Sequence, residues 1–203
     1  MTRAPGQLIL HPKAGTGIWN GAGPGSIRRD VLDRGDIVGG LSFSAVDSVR
    51  ETAMAGFVLT SPSFDEGGAI PIRHSCDGAD VSPALHWEGA PQGTVSFALI
   101  VDDPDARGFI HWVVYDLPGG GSGSLREGVR AIGGPLQGRN DFGRTGWGGP
   151  CPPSGTHRYR FTLWALSSRL GLTGTPSAAQ VRTVLTTRIL GQTGLTGTYT
   201  RQR

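Results

Sequence analysis

The amino-acid sequence predicts a mainly β protein, an antiparallel β-sandwich with one peripheral helix near its C-terminal end. Three observations lead to this prediction. The chain of 203 residues contains 34 glycines and 14 prolines, which punctuate strands and disfavour helix interiors. Several short apolar runs are rich in β-branched and aromatic residues, as strands are. Only one segment, late in the chain, places its apolar residues at helical spacing.

Residues 1–53 and residues 54–203 differ in character. The first segment is rich in glycine and shows no sustained period of 2 or 3.6 among its apolar residues, whereas strand-like sequence begins at Phe57. We expect residues 54–203 to form the folded domain. We expect residues 1–53 to be a disordered extension or an over-called gene start, and a short accessory segment packed on the domain is the alternative.

Four further segments of the domain are predicted to form strands. Residues 94–101 form a continuous apolar run, which predicts a buried strand, and residues 111–117 form a second run of this kind. Residues 156–166 alternate between two faces, so Tyr159 and every second residue after it are expected to point to one side. Residues 195–200 are expected to form the closing strand.

The predicted helix begins at Pro176 and Ser177. Gln180 stands three residues after Ser177, which is the spacing of a capping box. Gly191 stands where a C-terminal cap belongs. Four apolar residues at helical spacing mark the face that is expected to pack on the domain: Ala178, Val181, Leu185 and Ile189.

Composition and charge exclude several classes of protein. The formal net charge is +3, but basic residues are scattered among acidic ones, so nucleic acid is not an expected partner. No apolar run approaches the ~20 residues that span a bilayer, and the first ten residues do not resemble a signal peptide. The sequence therefore predicts a cytoplasmic protein.

The two cysteines, Cys76 and Cys151, are too few for a disulfide framework or a zinc cage. We expect them to be free thiols, because a reducing cytoplasm keeps thiols reduced even where two loops bring them close together. No metal and no cofactor is expected.

A run of acids that includes Asp103 and Asp105 follows the strand that ends at Val101. Carboxylates this close repel one another unless they are paired, hydrogen-bonded or solvated. His111 opens the next strand after a short loop, so Asp103 or Asp105 is placed to hold its ring and fix its tautomer. A solvated turn in which aspartate caps its own backbone is the alternative.

A second polar stretch runs from Gly146 to Pro153, and His157 opens the strand that follows it. Consecutive glycines let backbone N–H groups approach a ligand closely and form an anion-binding concavity. The prolines stiffen the segment, so binding orders it at little cost in entropy. A purely structural loop at a sheet edge is the alternative.

In this order, the motifs DPDA, HW, GWGGPCPP and GTHRY resemble the two signature regions of the phosphatidylethanolamine-binding family. Most of residues 54–203 resembles the bacterial, Raf kinase inhibitor-like branch of that family. The resemblance implies a β-sandwich with a small anion-binding pocket at one end. Arg107 is a departure, because the family usually has proline there. The site residues that the resemblance implies are Asp103, Asp105, His111, Gly149, Pro150 and His157.

The motifs predict non-catalytic binding of a small anion that bears a phosphate or carboxylate group. His111 and His157, with the wall formed by Gly149 and Pro150, are the expected contacts, and the two acids are expected to orient the histidines and raise their pKa values. Two alternatives stay open. One is inhibition of a kinase or protease by protein–protein contact, and the other is a hydrolase that uses the same histidines and acids.

The hydrolase is the weaker alternative because no HExxH, GxSxG, P-loop or CxxC motif is present. Binding to a protein partner and formation of a homodimer are further alternatives, since an exposed edge strand can pair with another chain.

Phosphate affinity is expected to increase from about pH 8 to about pH 5.5, because a protonated histidine binds an anion more tightly than a neutral one. Calorimetric titration with phosphate at several pH values measures this. An affinity that stays constant over that range contradicts the prediction.

Overall fold

The computed structural model describes residues 56–130 and 134–201. The expected N-terminal extension, residues 1–53, lies outside these described residues. Three strands form a smaller sheet in the order β1 (Val58–Thr60), β2 (Leu85–Glu88) and β5 (Gly123–Leu125). Five strands form a larger sheet in the order β6 (Leu136–Gln137), β4 (Phe109–Pro118), β3 (Ser96–Asp103), β7 (Thr156–Leu166) and β8 (Ile189–Thr200). Neighbouring strands pair antiparallel throughout.

The two sheets pack face to face over one apolar core. Trp87 of the smaller sheet contacts Phe97 of the larger sheet, with ring centres 5.3 Å apart. Tyr159 and Phe161 of β7 face the same core and are fully buried, as the alternation along that strand predicts. The predicted antiparallel β-sandwich is therefore confirmed.

A second apolar cluster covers the other face of the larger sheet. It joins Ala98 and Ile100 of β3 to Val181 and Leu185 of the single α-helix among the described residues, α1 (Ala178–Leu185). Because alternate residues of β3 face the inter-sheet core, this strand is buried on both faces. The double burial explains why residues 94–101 form an apolar run rather than an alternating pattern. No described helix has the length and apolar character that a membrane span requires.

Helix α1 begins as predicted but ends earlier. Ser177 and Gln180 form both bonds of the capping box. The expectation that Ile189 and Gly191 belong to the helix is wrong, because both lie in β8, where they pair with residues of β7. Gly191 is needed for packing rather than capping, since a Cβ atom there would lie 2.8 Å from Cγ of Pro91.

Cys76 and Cys151 form a disulfide, so the expectation of free thiols is wrong. Their Cα atoms are 5.5 Å apart although 75 residues separate them in sequence. The loops they join are also connected by a backbone hydrogen bond from the N–H of Cys76 to the carbonyl of Pro150. The sequence left open whether these two loops converge, because two cysteines without a spacing motif do not fix the contact and the fold brings the loops together.

Replacement of both cysteines, Cys76→Ser with Cys151→Ser, is expected to lower the free energy of unfolding by about 2–4 kcal/mol, because the unfolded chain loses a long covalent loop. Urea denaturation measures the loss. Dithiothreitol should destabilise the wild-type protein by a similar amount and leave the double variant unchanged. A wild-type midpoint that does not move on reduction contradicts the assignment.

Candidate functional site

A cavity of about 180 Å³ opens at the end of the larger sheet where β3 finishes and β4 and β7 begin. Because β3 runs antiparallel to both neighbours, its last residue lies beside their first residues. The cavity therefore gathers side chains that are far apart in sequence. It is lined by Asp103, Ala106, Phe109, His111, Phe142, Cys151, Pro152, Pro153, His157 and Tyr159.

Asp103 lines the cavity and is buried, with 3% of its surface exposed. One carboxylate oxygen lies 2.7 Å from Nδ1 of His157. The other accepts the backbone N–H groups of Asp105 and Ala106 at 2.9 and 3.0 Å, within the 3₁₀ turn Pro104–Ala106. Asp103 thus fixes both the turn and the ring of His157. Since Nδ1 of His157 donates to this carboxylate, its Nε2 carries a proton only when the ring is positively charged.

His111 is placed by a β-bulge. Val101 pairs with Trp112 and Asp102 pairs with Ile110, so His111 is the extra residue on β4. Its Nδ1 lies 2.6 Å from the carbonyl oxygen of Gly148. A carbonyl only accepts, so Nδ1 is the donor, and Nε2 of the neutral ring holds a lone pair.

The hydrogen-bond partner of His111 and the direction of its pKa shift differ from the expectation. Burial lowers the pKa of His111, and the hydrogen bond to Gly148 and the charges of Asp103 and Asp141 oppose this effect only in part. The expectation that Asp103 or Asp105 holds the His111 ring is wrong, because Nδ1 bonds to the Gly148 carbonyl. The charge of Asp103 does raise the pKa of His111, as expected, but burial lowers this pKa by more. Asp103 holds His157 instead, because the bulge turns His111 toward the glycine-rich loop.

Tyr159 lines the cavity with a polar atom that the sequence analysis did not assign to it. Its hydroxyl is buried and makes no hydrogen bond of acceptable geometry within the described residues, although the Asp103 carboxylate and the Cys151 backbone lie close by. Burial, assisted by the charge of Asp103, raises the pKa of Tyr159 far above its usual range. The hydroxyl therefore stays protonated. The signal was present in the sequence, because residues two apart on a strand share a face and Tyr159 follows His157 by two.

Two phenylalanines form an apolar edge around His111. The rings of Phe109 and Phe142 lie 4.8 Å apart, and each lies 5.3 Å from the ring of His111. Phe142 is 44% exposed, which is unusual for a large apolar side chain and places it at the mouth of the cavity. Gly148 makes room for this ring, since a Cβ atom there would lie 2.4 Å from it.

Asp105 lies outside the cavity lining and pairs with Arg158. The guanidinium of Arg158 approaches its carboxylate to 2.7 and 3.0 Å, and the Arg158 backbone N–H donates to it as well. These hydrogen bonds lower the pKa of Asp105 to about 2. The neighbouring Asp102 pairs with Arg160 and Arg182. Each of the three adjacent acids therefore has a partner of its own.

Arg107 follows this turn with a φ of +58°. Proline has a φ near −65° and cannot adopt this conformation. The backbone after Ala106 therefore has a conformation that the proline usual in the family could not adopt at position 107.

Gly149 and Pro150 are not among the residues that line the cavity. The N–H of Gly149 donates to Asp80 at 2.7 Å, and a Cβ atom on Gly149 would lie 2.2 Å from the carbonyl oxygen of His74. Pro150 accepts a hydrogen bond from Cys76. The structure thus gives both residues contacts that hold two loops together, and their direct contact with a ligand stays a prediction.

Within the two described stretches of chain, no group of three or more His, Cys, Asp or Glu side chains is arranged to hold a metal ion. The two histidines of the cavity instead have separate partners, a carboxylate for His157 and a carbonyl for His111. The cavity therefore presents the hydrogen-bonding atoms of Asp103, His111, His157 and Tyr159 among apolar side chains.

The fold and this cavity define the class of protein. Residues 60–200 match the phosphatidylethanolamine-binding protein family, and the chain belongs to that family. It is 47% identical over 166 residues to a "UPF0098 protein" of Aquifex aeolicus, covering 78% of this chain and 93% of that relative. It is 42% identical over 145 residues to the "Putative lipoprotein LppC" of Mycobacterium tuberculosis, covering 70% of this chain and 71% of that relative.

Among solved structures, the chain is similar to Escherichia coli YbcL, described as a new member of the mammalian PEBP family. The two share 34% sequence identity and a TM-score of 0.66 over 73% of this chain and all of that one. This similarity supports the mainly β architecture with its single helix.

Gly149→Ala is expected to destabilise the protein by about 2 kcal/mol or more, because the added methyl group meets backbone rather than a movable side chain. Thermal unfolding measures the loss. Gly121→Ala is the matched control, since no described residue has an atom within 4 Å of a Cβ atom at that position. Equal unfolding temperatures for the two variants would show that Gly149 is not needed for close packing.

Proposed function

We propose that this protein binds a small anion, bearing a phosphate or carboxylate group, in the cavity beside Asp103 and does not turn it over. The observation that carries the proposal is the hydroxyl of Tyr159, a buried donor without a hydrogen-bond partner among the described residues. A buried donor left unpaired costs about 1–3 kcal/mol, and an anionic oxygen in the cavity would remove that cost.

The second donor is His157. Its Nδ1 is bound to Asp103, so protonation of the ring places a second N–H on Nε2 and a positive charge in the cavity wall. The carboxylate of Asp103 balances this charge when no ligand is bound. Tyr159 and His157 stand two residues apart on the same face of β7, which allows one anionic group to accept from both.

The size of the cavity limits the ligand. A volume of about 180 Å³ corresponds to roughly six water molecules at ~30 Å³ each. That is room for a phosphate or carboxylate group with a few further atoms. A larger substituent on the ligand would have to extend out of the cavity beside Phe142, whose exposed ring offers it an apolar contact.

Turnover is not part of the proposal because the lining lacks an evident nucleophile. Among the described residues, the lining contains no serine, threonine or lysine, and its one cysteine is held in the disulfide. The Asp103–His157 pair does resemble a general base held by its carboxylate, so a hydrolase is the second candidate. Product formation from phosphate and carboxylate esters separates the two candidates.

We also propose that the protein works in an oxidising compartment. The sequence predicts a cytoplasmic location and therefore free thiols, but Cys76 and Cys151 form a disulfide, and disulfides are rare in reducing compartments. One relative carries the name of a putative lipoprotein, which is consistent with a location outside the cytoplasm. A protein partner, inhibition of a kinase or protease, and a homodimer stay predictions.

Tyr159→Phe is expected to weaken phosphate binding about tenfold, because the ligand loses a hydrogen bond from a buried donor. It should not lower the unfolding temperature, since this hydroxyl has no described protein partner to lose. Isothermal titration calorimetry and thermal unfolding measure the two effects.

Tyr115→Phe is the matched control, because the Tyr115 hydroxyl donates to Gly174 and its ring packs against the other face of the sheet. It should lower stability and leave phosphate binding unchanged. Wild-type protein that binds neither phosphate nor acetate, or a Tyr159→Phe variant that binds phosphate as well as wild type does, would refute the proposed function.

A further inference from the structure

We propose that the Cys76–Cys151 disulfide is a thiol-exchange site that opens in the folded protein. Cys76 takes up a low-molecular-mass thiol as a mixed disulfide, and Cys151 is the resolving cysteine that restores the original bond. The inference assigns a covalent modification to Cys76. It goes beyond the anion-binding proposal and does not depend on it.

The first step is access to the two sulfur atoms. Cys76 is exposed and lies just after the 3₁₀ turn Ile72–His74. Cys151 is only partly exposed, stands between Pro150 and Pro152 in the sequence and lines the cavity. A thiolate attacks one sulfur of a disulfide and displaces the other, so access to the attacked sulfur determines the direction of the exchange. A thiol in solution is therefore expected to attack Cys76.

The second step is the choice of the sulfur that leaves. Oδ1 of Asp77 lies 3.9 Å from the sulfur of Cys76. A carboxylate beside a sulfur disfavours a thiolate on that sulfur, so Cys151 is expelled more readily than Cys76. The same charge slows an incoming thiolate, but Arg201 donates to Asp77 at 2.9 Å and offsets part of it. Access and leaving group thus favour the same direction.

The reaction is an exchange in which no electron is lost. The thiolate of the small thiol forms a bond to the sulfur of Cys76, and the Cys76–Cys151 bond breaks. Cys151 leaves with the electron pair of that bond and takes up a proton. When Cys151 later loses this proton, its thiolate attacks Cys76, restores the original bond and releases the small thiol, which closes the cycle.

The third step is that the two loops stay in contact when the disulfide opens. Three hydrogen bonds without sulfur join them: Trp147 Nε1 to the His74 carbonyl, Gly149 N–H to Asp80 and Cys76 N–H to the Pro150 carbonyl. Two reacting groups that are held close together meet at a high effective concentration. Cys151 can therefore displace the bound thiol without any refolding of the chain.

The test uses the full wild-type chain in native buffer, with reduced glutathione as the probe. Acid stops the exchange, N-ethylmaleimide then blocks the freed thiols in denaturant, and peptide mapping locates both labels. Cleavage after arginine places Cys76 in residues 74–107 and Cys151 in residues 145–158, so each label is assigned separately. Glutathione should be at least about tenfold more abundant on Cys76, with N-ethylmaleimide on Cys151.

Three results would overturn the inference. Glutathione found mainly on Cys151, or equally on both cysteines, would contradict the roles given to them. Glutathione on neither cysteine until urea unfolds the chain would contradict exchange in the folded protein, because the bond would then be closed to thiols in solution.

Two single variants provide a second measurement, with oxidised glutathione as the probe. Cys151→Ser removes the resolving thiol, so a stable adduct should form on Cys76. Cys76→Ser is the matched control, and its remaining thiol should react at least about tenfold more slowly. Circular dichroism checks that both variants are folded. Equal rates in the two variants would contradict the preference for Cys76.

Reduced wild-type protein tests the resolving role directly. Oxidised glutathione should restore the internal disulfide and leave little adduct, because Cys151 displaces the glutathione from Cys76. An adduct on Cys76 that persists in the wild-type protein as long as it does in Cys151→Ser would overturn this role.

Discussion

The carboxylate of Asp103 is the constraint on which the site depends. It lies at the end of β3, a strand buried on both faces, so its oxygens have little access to water and need protein partners. One oxygen takes two backbone N–H groups of the following turn, and the other takes His157. The end of one strand, the turn after it and the first residues of β7 are thus fixed by a single side chain.

The register of β3 and β7 keeps Asp103 and His157 in reach of each other. Asp102 pairs with Arg160 across the two strands, and two nitrogens of that guanidinium donate to its carboxylate. Arg182 of α1 reaches the same carboxylate. The helix, which contributes no residue to the described cavity lining, is therefore connected to the strand that carries Asp103.

The two histidines of the cavity are alike in sequence context but differ in chemistry. Each follows a short loop and opens a strand, yet His157 is bound by a carboxylate and His111 by a carbonyl in a buried, aromatic surround. Burial lowers the pKa of His111, which disfavours its charged ring. The two histidines therefore present different partners and different surroundings to the same cavity.

Much of the fold could be predicted from the sequence, because strand burial, capping and family motifs are local signals. The boundaries of β7, the capping box at Ser177 and the association of Asp103 with a histidine follow from such signals. Which histidine Asp103 holds could not be predicted, because the answer depends on a bulge that adds one residue to β4. The Cys76–Cys151 disulfide and the short helix also depend on tertiary contacts, between two loops in one case and between β7 and β8 in the other.

The most direct measurement of the central claim is a crystal structure of the protein grown with methyl phosphate. We expect one phosphate group in the cavity, with oxygens about 2.5–3.2 Å from the hydroxyl of Tyr159 and from Nε2 of His157. A cavity that holds only water at saturating methyl phosphate, or a phosphate bound elsewhere on the protein, would contradict binding at Asp103.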